Sequence, residues 1–574
     1  MSEKNTAGLK KEKLSLLGVV ALIFSFIAAG AFGIEEAIAA SGPGVTLAML
    51  VLFPFIWCLP LGEMISELGS LYPTEGGAYS WARESFGEFW GWQVGLWGAL
   101  TTWLCQAQYV ALVVGYASEF FDMSTGMEYA VKIAVVVIFS VINIMGLDWL
   151  EKLETVLMVL VLAAFGAVTV VGFMNWNYNP ISPIFNPDAG LAGSIGDGIA
   201  IIIWMYLGYE CMSNMAEEVD DPQLIPKATR ISTPIIALSY ILPTLAAIAA
   251  LGSWDAWSTE TGGEAVGYVD VLIQYVGNWA GVAFVIIAVL ANCSIFSSYI
   301  AHGSRAFFVM ADDNCFPKFM SKLDKRGIPT ISIILLGIFT IITCRFDFVT
   351  LVMATTPIQL FLYLALVAAV WKLRDRYPAE ERKKMGLTVM IGGRLGLIIS
   401  PLLVFAISTF AIFSNGLDYF IAGFVMLLGG LIFYIIFKIM YKGQYLDDPE
   451  LYPLNEKTHL GLGDITAIGS YILATGIIAL AGRVFIALYE AEWGAEYYLE
   501  EYEEGIFSSF EGMLSICSAI GIVCILLGII VMFIGKKTEG PKLAELKPRR
   551  DQLMDERICE IHGDVPLAGK YRSK

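Results

Sequence analysis

This 574-residue chain is poor in histidine, in clustered cysteine and in charge, and each shortage closes off a class of function. Histidine occurs only at His302, His459 and His562, with no H-E-x-x-H-like arrangement, so an intramembrane enzyme is not expected. The nine cysteines are odd in number and scattered singly, with Cys58, Cys105, Cys211, Cys293, Cys517 and Cys524 inside apolar runs. That pattern supports neither a disulfide scaffold nor a zinc site, and no metal or cofactor is expected. Charged residues make up 16% of the chain against 57% hydrophobic, with a mean hydropathy of +0.68, a balance that does not fit a water-soluble surface. A repeated filter or a ring of charges, the marks of a channel, is missing as well. No nucleic-acid partner is expected.

What the chain has instead is apolar runs of about 20 residues, the length that crosses a bilayer core of roughly 30 Å. They fall at 14–41 (interrupted), 45–70, 88–121, 127–146, 150–174, 195–217 (interrupted), 226–253, 279–311, 329–346, 348–373, 394–415, 417–441, 466–489 and 511–535. The fold class is therefore all-α and polytopic, with about fourteen spans and the lipid bilayer as partner. The polar stretch "MSEKNTAGLKKEK" (1–13) precedes a run too long, and too poor in a cleavage pattern, for a removable signal, so the first helix is retained.

Lysine and arginine resist translocation and mark the cytoplasmic side. They collect at Lys4, Lys10, Lys11 and Lys13; at Lys318, Lys322, Lys325 and Arg326; from Lys372 to Lys384; and in the 536–574 tail at Lys536, Lys537, Lys542, Lys547, Arg549 and Arg550. An even number of spans puts both termini in the cytoplasm, and the plasma membrane is the expected location. The opposite side is acidic: residues 488–507 carry seven glutamates, and Asp255, Glu260, Glu264 and Asp270 lie in the 254–270 loop. Two readings stand for that acid, a solvated or helical cap and an electrostatic antenna for cations.

Two spans are interrupted. The first holds "GAFGIEEAIAASGPG" (30–44), in which Gly30 and Gly33 lower the cost of leaving helical dihedrals and Glu35 and Glu36 follow at once. A carboxylate at membrane depth is expensive, which points to a polar cavity for at least one of them; snorkelling at the interface is the alternative. Consecutive helical residues point about 100° apart, so both are not expected to face one ligand. The sixth span repeats the theme in "WMYLGYECMSNMAEE" (204–218), where Gly208 meets Tyr209 and Glu210. Five helices separate the breaks, as a five-plus-five inverted repeat requires, with residues 14–174 as one half and 195–373 as the other. Helices at 394–441 complete a unit of twelve, and 466–535 adds two more. Gln106, Gln108 and Tyr109 in the third span, and Asn292, Ser294, Ser297 and Ser298 in the eighth, flank the centre.

The stretch "FGIEEAIAASGP", followed by "LFPFIWCLPLGEMISELGSLYPTEGGAYSWARESFGEFWGW", resembles the first two helices and loop of the APC superfamily of amino acid, polyamine and organocation transporters. The run "EVDDPQLIPKA" (218–228) is similar to the exit of their sixth helix, and the likeness covers about residues 14–440. The polyamine uptake branch is the most similar, through Gly33 to Glu36 and the aromatic-acidic pair Tyr209 and Glu210. The resemblance implies a secondary active transporter of a polyamine or amino acid, with Gly30, Gly33, Glu35, Glu36, Gln106, Tyr109, Trp204, Tyr206, Tyr209 and Glu210 at the substrate. A neutral amino acid permease and a nutrient sensor on the same scaffold are the alternatives. The chain departs from the pattern in three places. "AAGAF" replaces a Gly-Ser-Gly-like break, Cys105 and Gln106 stand where polyamine members tend to have an acid, and residues 153–174 contain no lysine. Proton and sodium coupling both stay open, as does the oligomeric state.

Overall fold

The computed structural model describes residues 15–27, 30–74, 76–145, 150–218, 221, 223–259, 265–313, 315–441 and 449–562. Lys4, Lys10, Lys11, Lys13, Glu260, Glu264 and the end of the C-terminal tail lie outside them. Helices α1 (Leu16–Ile27), α2 (Ile34–Ser41), α3 (Pro43–Phe53), α4 (Leu59–Leu71), α5 (Ala78–Phe86), α6 (Glu88–Ala117), α7 (Thr125–Met145) and α8 (Leu150–Met174) come first. Then follow α9 (Gly190–Met205), α10 (Leu224–Leu251), α11 (Tyr268–Tyr275), α12 (Asn278–Asp312), α13 (Thr330–Thr343), α14 (Phe348–Arg376) and α15 (Ala379–Lys384). The chain ends with α16 (Gly393–Ser414), α17 (Leu417–Met440), α18 (Asp464–Tyr489), α19 (Gly494–Tyr502), α20 (Phe510–Thr538) and α21 (Gly540–His562). No strand occurs among the described residues, only two isolated bridges. Ten helices there are long and apolar enough to cross a membrane, and α1, α9 and α13 are shorter apolar helices.

The packing reverses that of a water-soluble bundle. Val137, Ile138, Phe405, Ile522 and Leu526 are exposed on the outer helices, while Thr101, Thr102, Gln106 and Gln108 of α6 are buried. Lipid solvates the first group, and the second must find partners inside. Helices α18 and α20 meet through small residues seven apart: a Cβ on Gly469 would lie 2.4 Å from the Met532 nitrogen, and one on Gly476 2.7 Å from that of Ile525. Backbones that close are the usual device of helices without a hydrophobic drive to associate.

Three expectations need adjusting. The 45–70 span is not one regular helix, because Pro54 lacks the N–H its turn requires and Pro54–Cys58 forms a π-turn between α3 and α4. The third helix stops at Ala117, not 121. The 536–574 stretch is more than a tail, since α21 docks on the bundle. Arg376 meets Asp551 at 2.7 Å and Asp555 at 3.2 Å, and Arg557 meets Glu84 at 3.2 Å.

Candidate functional site

Both interruptions sit where the sequence places them. Gly30 (φ 117°) and Gly33 (φ 94°) separate α1 from α2, and Gly208 (φ 102°) separates α9 from the 3₁₀ turn Cys211–Glu218. These dihedrals belong to the left-handed half of the map, where a side chain is strained. Broken ends leave carbonyls without helical partners, and neighbouring tyrosines satisfy them. Tyr299 on α12 donates to Phe26 O at 3.0 Å, and Tyr240 on α10 donates to Met205 O at 2.8 Å and Ile27 O at 3.3 Å.

The three glutamates have distinct settings. Glu35 is fully buried; it accepts from Tyr116 Oη at 2.6 Å and from the Gly33 amide at 2.9 Å. Glu36 turns away, accepting at 2.8 Å from Ser258 Oγ, from Thr259 Oγ1 and from the Thr259 amide, and it lines a cavity of about 770 Å³. Glu210 is 9% exposed and accepts from the Gln359 amide and, at 2.8 Å, from Tyr363 Oη, both on α14. It lines a second, far smaller cavity of about 30 Å³ with His302 and Thr102.

Between the two cavities lies an aromatic layer. Phe348 of the larger cavity sits edge-on to Trp204 with centroids 5.0 Å apart, Trp204 lies 5.7 Å from Tyr109, and Tyr109 lies 5.3 Å from Tyr299. Trp204 Nε1 donates to Gln108 Oε1 at 2.5 Å, and the Gln108 amide reaches Thr355 Oγ1 at 2.9 Å. The larger cavity is acidic, with Glu36, Asp122, Glu128 and Asp347 against Lys132 alone. Such a mouth attracts cations, and ring faces suit them once inside.

The family described as amino acid permease matches residues 14–437 of this chain. The chain belongs to that family. A relative from Arabidopsis thaliana named "Probable polyamine transporter" is 26% identical over 434 residues, 73% of this chain and 84% of its own. A polyamine transporter of Oryza sativa subsp. japonica is 23% identical over 406 residues, 69% of this chain and 73% of its own. Among solved structures, that of MhsT in complex with L-phenylalanine is 15% identical with a TM-score of 0.53, covering 70% of this chain and 100% of that one. That likeness carries the fold only. The matched region ends near the close of α17, so α18 to α21 lie outside it.

Of the residues expected at the site, Gly33, Trp204 and Tyr109 converge on the aromatic layer, and Gly30, Glu35 and Glu210 belong to the breaks themselves. Gln106 donates to Tyr299 O at 3.2 Å and accepts from Thr340 Oγ1 at 2.9 Å. Tyr206 donates to Leu50 O at 3.0 Å, and Tyr209 is buried beside Gly62 and Cys58. Residues the sequence reading passed over are Tyr116, Tyr240, Gln359 and Tyr363, and above all Glu154. That carboxylate on α8 is 1% exposed and accepts from Ser25, from Ser294 Oγ at 2.6 Å and from Ser298 Oγ at 2.7 Å. A polar i,i+4 pair in an apolar helix, Gln359 and Tyr363, was the available signal for α14.

Proposed function

We propose that this member of the amino acid permease family is a secondary active transporter of the plasma membrane that moves a cationic amine, a polyamine or basic amino acid, by alternating access. Fourteen spans, with an inverted repeat of residues 14–174 and 195–373 and cytoplasmic termini, make the acidic cavity the outer vestibule. The observation that carries the reading is the pairing of buried carboxylates with helix breaks, Glu35 at one and Glu210 at the other. An ammonium in a dry site needs a carboxylate, and a dication needs two that are spaced apart. Glu210 spends its oxygens on side chains of α14, which an ammonium can displace. Trp204 and Tyr109 offer ring faces above it. The coupling ion, proton or sodium, has Glu210 and Glu154 as candidate carriers.

The names of the two plant relatives favour the polyamine reading, and the family's description favours an amino acid as the second. The test is a thermal-shift screen of purified protein against putrescine, spermidine, agmatine, lysine, arginine and neutral amino acids, with counterflow in proteoliposomes, repeated on Glu210→Gln. Stabilisation and exchange with the cations, lost in the variant, is the expected result. Stabilisation by neutral amino acids alone with a silent Glu210→Gln overturns the cation reading. Binding without exchange makes the protein a sensor.

A further inference from the structure

A second cavity system runs down the seam between the matched region and the helices that follow it. At the end of the bundle where α21 docks, a cavity of about 520 Å³ is lined by Phe86, Lys372, Lys547 and Arg550 among others. An adjoining one of about 390 Å³ shares Phe86 and Arg550 with it and adds Trp90 and Lys536. Phe86 and Trp90 in turn belong to an apolar groove of about 420 Å³ that continues along α14 and α18. On α14 the lining residues Phe361, Leu364, Ala368 and Lys372 follow helical spacing from groove to basic mouth. That is a run of about 16 Å at the α-helical rise. On α18, Ser470 of the basic part leads by the same spacing to Ala474 and Ile478 of the groove. One continuous space is thus basic at one end and apolar along the rest.

The charge at the mouth is unbalanced. Glu84 is held by Arg557, Asp551 by Arg376, and Glu88 by Lys438. Asp464 accepts from Tyr434 and from the Gly461 amide at 2.7 Å. Asp464 and Asp375 are then the acids of the lining without an ion pair among the described residues. Lys372, Lys536, Lys547 and Arg550 form no ion pair among the described residues. Lys372 Nζ sits 4.9 Å from the centroid of the Phe86 ring, and Arg550 Nε is buried without a hydrogen-bond partner.

We propose that this space holds one anionic phospholipid, its phosphate at Lys372, Arg550 and the neighbouring lysines and an acyl chain along the α14–α18 groove. A soluble anion would leave the groove empty, and a zwitterionic lipid would leave the cations unanswered. Basic pockets between membrane helices bind acidic headgroups for this reason. The lipid would fasten α18 and α20 to the matched region.

The test uses the full chain, gently purified and measured by native mass spectrometry, then delipidated and titrated. A tightly held phosphatidylglycerol adduct is expected on the wild type, and phosphatidylglycerol is expected to raise the melting temperature where phosphatidylcholine and inorganic phosphate do not. Lys372→Ala with Arg550→Ala should weaken phosphatidylglycerol binding about 30-fold, from two cations lost at the mouth. Ala368→Phe, which fills the groove and leaves the charges in place, should also weaken it. Equal stabilisation by phosphatidylcholine makes this ordinary surrounding lipid and overturns the proposal. So does equal stabilisation by inorganic phosphate, which makes it a soluble-anion site. Should the double variant fail to fold, absence of the wild-type adduct is by itself decisive against the proposal.

Discussion

The two helix breaks are built alike and held differently. At the first, Glu35 takes one of its hydrogen bonds from the Gly33 amide of its own turn, a donor that stays with the acceptor whatever the helix does. At the second, Glu210 takes its bonds from Gln359 and Tyr363, side chains of a different helix that can leave. A carboxylate capped by its own backbone stabilises a shape. One held by another helix is available for exchange, so under the proposed function Glu35 is the ammonium partner fixed in place and Glu210 the one that can re-pair.

Six substitutions, grouped as four tests, break or sharpen that contrast. The largest effect is expected at the glycines. A Cβ at Gly208 would lie 2.6 Å from the backbone oxygen of Phe26, whereas at Gly33 it would lie 2.7 Å from the Phe348 ring, which can move. Gly208→Ala should therefore destabilise by about 3 kcal/mol, and Gly33→Ala by nearer 1–2 kcal/mol, on top of strain common to both. Thermal melts that rank the two the other way would remove the distinction between a rigid and a yielding neighbour.

Next in size is Glu210→Gln, expected to lower uptake of a dication about 100-fold while leaving the melting temperature within a few degrees, since an amide still bonds to Gln359 and Tyr363. Glu35→Gln should also lower uptake of a dication, by nearer tenfold, with the melting temperature again within a few degrees because an amide still bonds to the Gly33 amide and Tyr116. Equal kinetics for the two variants would erase that difference. Tyr240→Phe comes third. It deprives Ile27 O and Met205 O of a donor at once and should cost about 1–2 kcal/mol, visible as lowered protection in hydrogen exchange at both breaks rather than one. The smallest effect belongs to Glu36→Gln at the acidic cavity: a few-fold rise in KM for the cation at low ionic strength, vanishing at high salt.

The breaks themselves were legible because an apolar run tolerates glycine beside a carboxylate only where the helix opens onto polar surroundings. The helix positions were legible for the same kind of reason, since length and hydropathy decide them. Which way a side chain turns was not. Tyr206 and Tyr209 are expected at the substrate from the resemblance alone, because a helix that unwinds loses the 100° rule that would have aimed them. Glu154 sits near the start of α8, where an acid reads as an ordinary interfacial residue. Only the convergence of Ser25, Ser294 and Ser298 from two other helices makes it notable, and that is a fact of tertiary packing. The docking of α21 was within reach, because Leu543, Leu546, Met554 and Ile558 recur at helical spacing through a polar stretch.

Tyr240 carries one hydroxyl proton and offers it to two carbonyls on opposite broken helices. Two walls that share a fastener are biased to loosen together. In the proposed cycle, solvent and unescorted ions would less often find a half-released state to slip through. The tightness of the barrier then rests as much on that phenol as on either glutamate.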